Sequence, residues 1–182
     1  FRDYMHTANQ VILKMLELEK PIIAAVNGVA VGAGCNLALA CDLIISSENA
    51  RFGEVFVRVG FVPDAGGTYL LARRVGLTKA MELALTGKII DAKEAEKIGL
   101  VNEVVSTDKF DARVKEVALN LAKAATRAVG MAKILINKSY EKDLKSMLEY
   151  EAYAQSILFQ SADHEEGVKA FLEKREPKFI GK

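Results

Sequence analysis

The sequence predicts an α/β core followed by an all-helical C-terminal lobe. Three observations carry this expectation. Short apolar runs alternate with helix-periodic stretches as far as Val105, strand signals vanish from Lys109 onward, and the run Ile22 to Cys41 passes from a strand through small residues straight into a helix. The boundary falls between residues 107 and 108, giving a core over 1–107 and a helical lobe over 108–182.

The elements follow in order. Residues Phe1 to Glu19 read as a helix, and Ile22 to Val26 as a strand buried on both faces. Asn27-Gly28 turns the chain, and Gly32-Ala33-Gly34 allows close backbone approach where a helix begins, at about Cys35 to Cys41. Leu43 to Ser46 is a short strand, with a second strand-like piece near Arg51. Thr68 to Val75 and Thr78 to Thr86 read as helices, the second ended by Gly87 as C-cap. Asp91 and Glu94 have capping-box spacing for a helix that Gly99 closes, and Leu100 to Val105 is a strand. Helices then follow at about Phe110 to Ala124, Arg127 to Tyr140, Leu144 to Gln160 and Glu165 to Lys174. Asp163 and Glu166 have capping-box spacing for the last.

Composition excludes several classes. At 182 residues, 51% hydrophobic and net charge +1, the chain has enough apolar material for one domain with a core and an appended lobe. Its 25 Lys and Arg balance 24 Asp and Glu along the helices, so neither a nucleic-acid groove nor a membrane-binding face is expected. No apolar run is long enough to span a bilayer, and no signal peptide is visible. Cys35 and Cys41 lie six apart on faces of one helix that do not meet, which argues against a disulfide and for a reducing compartment. With His6 and His164 far apart, the cysteines and histidines form no metal-site pattern.

The junction at Gly32-Ala33-Gly34 leaves unpaired N–H groups that would stabilise a developing oxyanion; on its own such a turn also reads as plain strand-to-helix packing. Its company is informative. Ile22 to Asp42, Ala50-Arg-Phe-Gly53, Gly60-Phe-Val-Pro-Asp-Ala-Gly-Gly-Thr68, Ala80-Met-Glu-Leu-Ala-Leu-Thr-Gly87 and Ala92-Lys-Glu-Ala-Glu-Lys-Ile-Gly-Leu-Val101 resemble, in order and spacing, the crotonase (enoyl-CoA hydratase/isomerase) superfamily. Glu166-Gly-Val-Lys-Ala-Phe-Leu-Glu-Lys-Arg175 looks like that family's last helix. The resemblance implies a crotonase-like strand-strand-helix spiral, with the helical lobe serving trimer or dimer-of-trimers assembly. Met147, Leu148, Tyr150, Ile157, Leu158 and Phe159 are the apolar residues available for that contact, packing within the chain being the alternative.

The resemblance also implies chemistry. The family holds an acyl-CoA thioester with its carbonyl oxygen between two backbone N–H groups. The matching donor is Ala33, with Gly32 and Gly34 giving access; coenzyme A enters as part of the substrate, without a separate cofactor or metal. Hydratases of the family use two glutamates, at positions matched here by Asn36 and Phe56, and neither side chain moves a proton at neutral pH. Strand alternation points Glu54, two residues earlier, to the same face as Phe56, which leaves it a minor candidate for this work. The remaining acid/base candidate is Asp64. Alone, Pro63-Asp64-Ala65-Gly66-Gly67 reads as a turn with the aspartate bonding nearby amides; with the lost glutamates, it resembles the 1,2-epoxyphenylacetyl-CoA isomerase branch. Related dehalogenases also place an aspartate here. Asn36 then orients substrate or bonds Asp64, and Phe56 dries the pocket, plain packing and capping being the other reading. Phe171 and Lys174 match family positions that contact CoA, although Lys174 also fits a solvated helix face. Asp108, Asp111, His6 and His164 lie in no motif.

The expected activity is acyl-CoA isomerisation. The alternatives are an atypical hydratase and a non-catalytic acyl-CoA-binding subunit. The chain lacks an initiator methionine, and the resembled family carries strands before this point that include the second oxyanion donor, so the chain is expected to be a fragment of a longer protein or a processed product. The expected location is the cytoplasm, or the mitochondrial matrix for a eukaryotic source.

Overall fold

The computed structural model describes residues 2–182, and these divide into two compact units. The first takes the chain through Leu16 and from Ile22 to Lys115; the second holds Glu17–Pro21 and Glu116–Lys182.

In the first unit, helix α1 (Arg2–Glu17) precedes strands β1 (Ile23–Val26) and β2 (Val29–Val31) and helix α2 (Ala33–Leu39). The pattern repeats as β3 (Leu43–Ser47), β4 (Arg51–Gly53), a 3-10 turn over Val55–Val59, and α3 (Gly67–Thr86). Strand β1 pairs in parallel with β3 and β2 with β4, so each strand pair stacks on the previous one before the chain leaves into a helix. This is the predicted strand-strand-helix spiral. Strand β5 (Ile89–Asp91) adds antiparallel to β4, and after α4 (Ala92–Lys97), β6 (Glu103–Val105) closes the other sheet against β3.

Several expectations change in detail. The three-residue strands β2 and β5 are too short for periodicity to reveal. Strand β1 is an edge strand with Ala25 exposed, rather than buried on both faces. The strand expected from Leu100 starts only at Glu103, because the N–H groups of Leu100 and Val101 turn back onto the Ala95 carbonyl at 2.9 and 3.2 Å. Gly76, at φ 76° and ψ 161°, breaks the helical path of α3, which separates the two helices the sequence predicts. Helix ends at Gly87 (φ 63°) and Asp91, whose side chain accepts from Glu94 N–H, are as expected. Cys35 and Cys41 are buried free thiols, and α2 ends before Cys41.

The core gathers Leu39, Ile44, Phe52, Leu71, Leu83 and Leu100, each at most 2% exposed. Every such aliphatic or aromatic side chain contributes about 1.5–3 kcal/mol by leaving water. Buried main-chain groups have partners reaching across elements. Asn102 accepts from Ile44 N–H and returns its own N–H to the Ile44 carbonyl, while Arg74 donates to the carbonyls of Leu39 and Cys41 and so caps the end of α2.

Helix α5 (Phe110–Lys123) leads into the second unit, built from α6 (Thr126–Lys138), α7 (Leu144–Leu158) and α8 (Ala162–Glu173). Gly130 lies so close to the Glu19 carbonyl that a Cβ would stand within 3 Å of it. Lys133 Nζ donates to the Lys20 carbonyl at 3.1 Å. The N-cap of α8 is Ser161, which accepts from His164 N–H, and not Asp163. Asp163 instead accepts from Ile180 and Gly181 N–H at 2.7 and 2.9 Å and ties down the chain's final segment. Met147 is buried within this unit, whereas Leu148, Tyr150, Ile157 and Phe159 are exposed and Leu158 is half-buried. No described helix is long and apolar enough to cross a membrane.

Candidate active site

Strand β2 delivers the chain to Gly32, whose φ of 56° and ψ of −129° suit glycine. Its N–H donates to the Gly53 carbonyl at 2.8 Å, fixing the junction to β4. The first α2 bond runs from Asn36 N–H to the Gly32 carbonyl at 3.0 Å, so the N–H groups of Ala33, Gly34 and Cys35 precede any intrahelical acceptor. Ala33 and Gly34 are exposed, and a Cβ on Gly34 would meet nothing within 4 Å. A Cβ on Gly32 would make ordinary contact, 3.6 Å, with the ring of Phe56, which is 8% exposed. Backbone conformation, not crowding, is thus what calls for glycine at position 32.

Asn36 is fully buried. Its Nδ2 donates to the main-chain carbonyl of Asp64 at 2.9 Å, and its Oδ1 has no partner. The expected Asn36–Asp64 contact therefore exists, but it reaches the backbone of Asp64 and leaves the carboxylate free. The same carbonyl accepts from Gly67 N–H at 2.7 Å, closing a turn whose central residues both have positive φ, 44° at Ala65 and 81° at Gly66. Ala65 pays for this geometry as a non-glycine in a sparsely populated region. The turn thus forms through the Asp64 main chain, whereas the sequence reading had the side chain bonding nearby amides. Asp64 itself is half-buried, with Oδ1 sealed from solvent and unpartnered.

Sequence reasoning missed Gly67. A Cβ there would lie 2.4 to 2.7 Å from the Asn36 amide, so this glycine makes the space in which Asn36 holds Asp64. The adjacent Gly66-Gly67 pair was the available signal.

Sequence reasoning also placed Glu54 wrongly. Strand β4 stops at Gly53 and the 3-10 turn begins at Val55, so Glu54 and Phe56 do not alternate on one strand. Glu54 is 1% exposed, and neither carboxyl oxygen has a hydrogen-bond partner. Burial pushes its carboxyl up to about 7. The nearby Cys35 thiol and Asn36 amide oppose that rise without reaching bonding geometry, and the charge of Asp64 adds to it. Burial pushes the Cys35 thiol up to about 12, so it stays neutral. The first unit therefore brings together Gly32, Asn36, Glu54, Asp64 and Gly67 around one strand-to-helix junction. Two carboxyl groups, a neutral thiol and a fixed amide sit beside N–H groups at a helix start, an arrangement that can hold and move a proton.

Phe171 and Lys174 lie in the second unit. Phe171 is 83% exposed and borders a recess of about 430 Å³ with Arg127, His164 and Phe179. Lys174 is the left-handed C-cap residue of α8 (φ 54°), exposed beyond its last turn. Among the described residues, no three His, Cys, Asp or Glu side chains are grouped to hold a metal ion.

Comparison with known proteins adds the following. Residues 2–182 match the family described as enoyl-CoA hydratase/isomerase. The chain is 43% identical over 168 residues to a probable mitochondrial enoyl-CoA hydratase of Dictyostelium discoideum, covering 92% of this chain and 61% of that one. It is 40% identical over 174 residues to the 1,2-epoxyphenylacetyl-CoA isomerase of Escherichia coli, covering 96% and 66%. The crystal structure of an enoyl-CoA hydratase from Bacillus anthracis superposes with a TM-score of 0.95 at 36% identity, covering all of this chain and 70% of that one. The chain thus spans less than two thirds of the length of these two curated relatives.

Proposed function

The chain belongs to the enoyl-CoA hydratase/isomerase family, and from that premise we propose that it isomerises an acyl-CoA thioester with Asp64 as its single acid/base. The Asp64 carboxylate takes a proton from a carbon alpha or gamma to the thioester carbonyl, and the C–H electron pair moves onto the carbonyl oxygen as an enolate. Ala33 N–H, at the start of α2 with Gly32 and Gly34 beside it, donates to that oxygen. Asp64 then returns the proton to a different carbon, and the double bond has moved without water entering or leaving. Asn36 holds the Asp64 main chain in place, Phe56 keeps the neighbourhood apolar, and Phe171 and Lys174 bind the CoA portion of a neighbouring subunit's substrate, as the resemblance implies.

The observation that carries this reading is that the two positions where the family's hydratases keep glutamates hold Asn36 and Phe56, while Asp64 keeps a buried, unpartnered carboxyl oxygen. The name of the E. coli relative points the same way. Asp64→Asn is expected to lower isomerisation of a 3-enoyl-CoA by about 10²–10⁴-fold with folding intact. Wild-type turnover in that variant would sink the assignment.

A second reading is an atypical hydratase, favoured by the second carboxyl group at Glu54 and by the hydratase names of most relatives. Addition of water to crotonyl-CoA, abolished in Asp64→Asn, would establish it. Two buried free cysteines fit a reducing compartment such as the cytoplasm or mitochondrial matrix.

A further inference from the structure

The acid/base scheme above leaves one buried carboxyl group without a task. Glu54 is 1% exposed, and both of its oxygens are sealed from solvent with no hydrogen-bond partner. Asn36 Oδ1 and Asp64 Oδ1, its neighbours in the same junction, are also buried and unpartnered. The pocket therefore gathers acceptor oxygens that lack a donor. Ionising both carboxyl groups there would place two like charges in a dry site with nothing to offset them, whereas one proton turns an orphaned acceptor into a donor.

Building on the Asp64 reading, we propose that Glu54 is a positioning residue that keeps a proton while Asp64 carries the site's single negative charge, and that turnover requires Glu54 in this neutral form. The division follows burial. Glu54 is the deeper group and is held by no N–H, so it is the one that stays neutral; Asp64 is half-buried and meets solvent or substrate. The titratable groups that bear on Glu54 are the Cys35 thiol of α2 and Asp64 in the turn before α3, with the neutral Asn36 amide between elements. Cys35 brings no charge, because its thiol lies at about 12. Burial is the main cause of the rise and the charge of Asp64 adds to it, so Glu54 titrates near 7.

The consequence is directional. Isomerisation needs Asp64 both to capture a proton and to release it. Once Glu54 ionises, its two donorless oxygens compete for the Asn36 Nδ2 that holds the Asp64 main chain, and Asp64 loses the position from which it does both. Turnover falls as pH rises through about 7.

Two measurements on the protein as it occurs in the cell test this. The pH profile of kcat for a 3-enoyl-CoA is compared in wild type, Glu54→Gln and Glu54→Asp. The alkaline limb is expected in wild type and Glu54→Asp and absent in Glu54→Gln, which retains turnover within about tenfold at low pH. Superimposable profiles of wild type and Glu54→Gln would overturn the proposal. Independently of any reaction, difference infrared spectra of wild type against Glu54→Gln report the carboxylic C=O stretch. A band present well below pH 7 and lost well above it supports the proposal, and an ionised Glu54 throughout overturns it. Because the spectra involve no substrate, they decide the protonation of Glu54 even if Asp64→Asn proves active.

Discussion

A buried carboxyl group with no donor in reach has one inexpensive state, the neutral one, and that makes Glu54 a term in stability as well as in chemistry. Its folded-state value is raised from 4.5 to about 7, mainly by burial. Between those values the folded chain holds a proton that the unfolded chain has released, so the contribution is fully present below about 4.5 and is lost as pH rises through about 7. The loss amounts to about 3 kcal/mol at 1.36 kcal/mol per pKa unit. Glu54→Gln removes the ionisation, so its Tm is expected to gain on wild type steadily from about pH 5 to about pH 8. Groups titrating elsewhere in that window cancel in the difference. Melting curves that stay parallel across the window would show that Glu54 is already ionised in the folded protein.

The element that positions the acid/base is the contact between α2 and the turn leading into α3, and it depends on one missing side chain. A Cβ at Gly67 would stand within 3 Å of the Asn36 amide, closer than real contacts allow, and the fully buried Asn36 has nowhere to move. Gly67→Ala is expected to break the Asn36–Asp64 bond and lower stability by about 1–3 kcal/mol, the usual cost of overpacking. Adding Asn36→Ala should restore part of that loss in thermal melts, because it vacates the contested volume; an equally unstable double variant would mean the strain lies in the turn itself. Elements written by neighbouring residues were legible in the sequence. Gly87, Asp91 and the break between the α3 segments belong to this class, since a cap or kink depends on a few adjacent positions. Features that depend on distant partners were not. Asp163 stands three residues before Glu166 exactly as a cap would, yet its partners are Ile180 and Gly181. Glu54 was misplaced because alternation assumes the strand continues past Gly53, where the backbone instead enters a 3-10 turn.

For the whole molecule, the outstanding question is what covers the apolar surface of α7. Met147, Ala154 and Leu158 turn inward, while Tyr150, Tyr153 and Ile157, spaced three and four residues apart, form a second stripe that is 40%, 66% and 48% exposed. Leu148 and Phe159, 55% and 72% exposed, lie on the opposite side of the helix and are not part of this stripe. One helix does not need two apolar stripes to fold, and we propose that this one meets another chain. We propose further copies of the same protein as the partners, in a trimer or a dimer of trimers. Light scattering on the purified protein is therefore expected to give three or six times the protomer mass. Tyr153→Glu with Ile157→Glu should lower that mass, since a charge buried without a partner in an apolar contact is expensive. The helix itself should survive, because both positions already face outward in the single chain. A wild-type protein of protomer mass would remove the assembly reading, and the second stripe would then need another occupant.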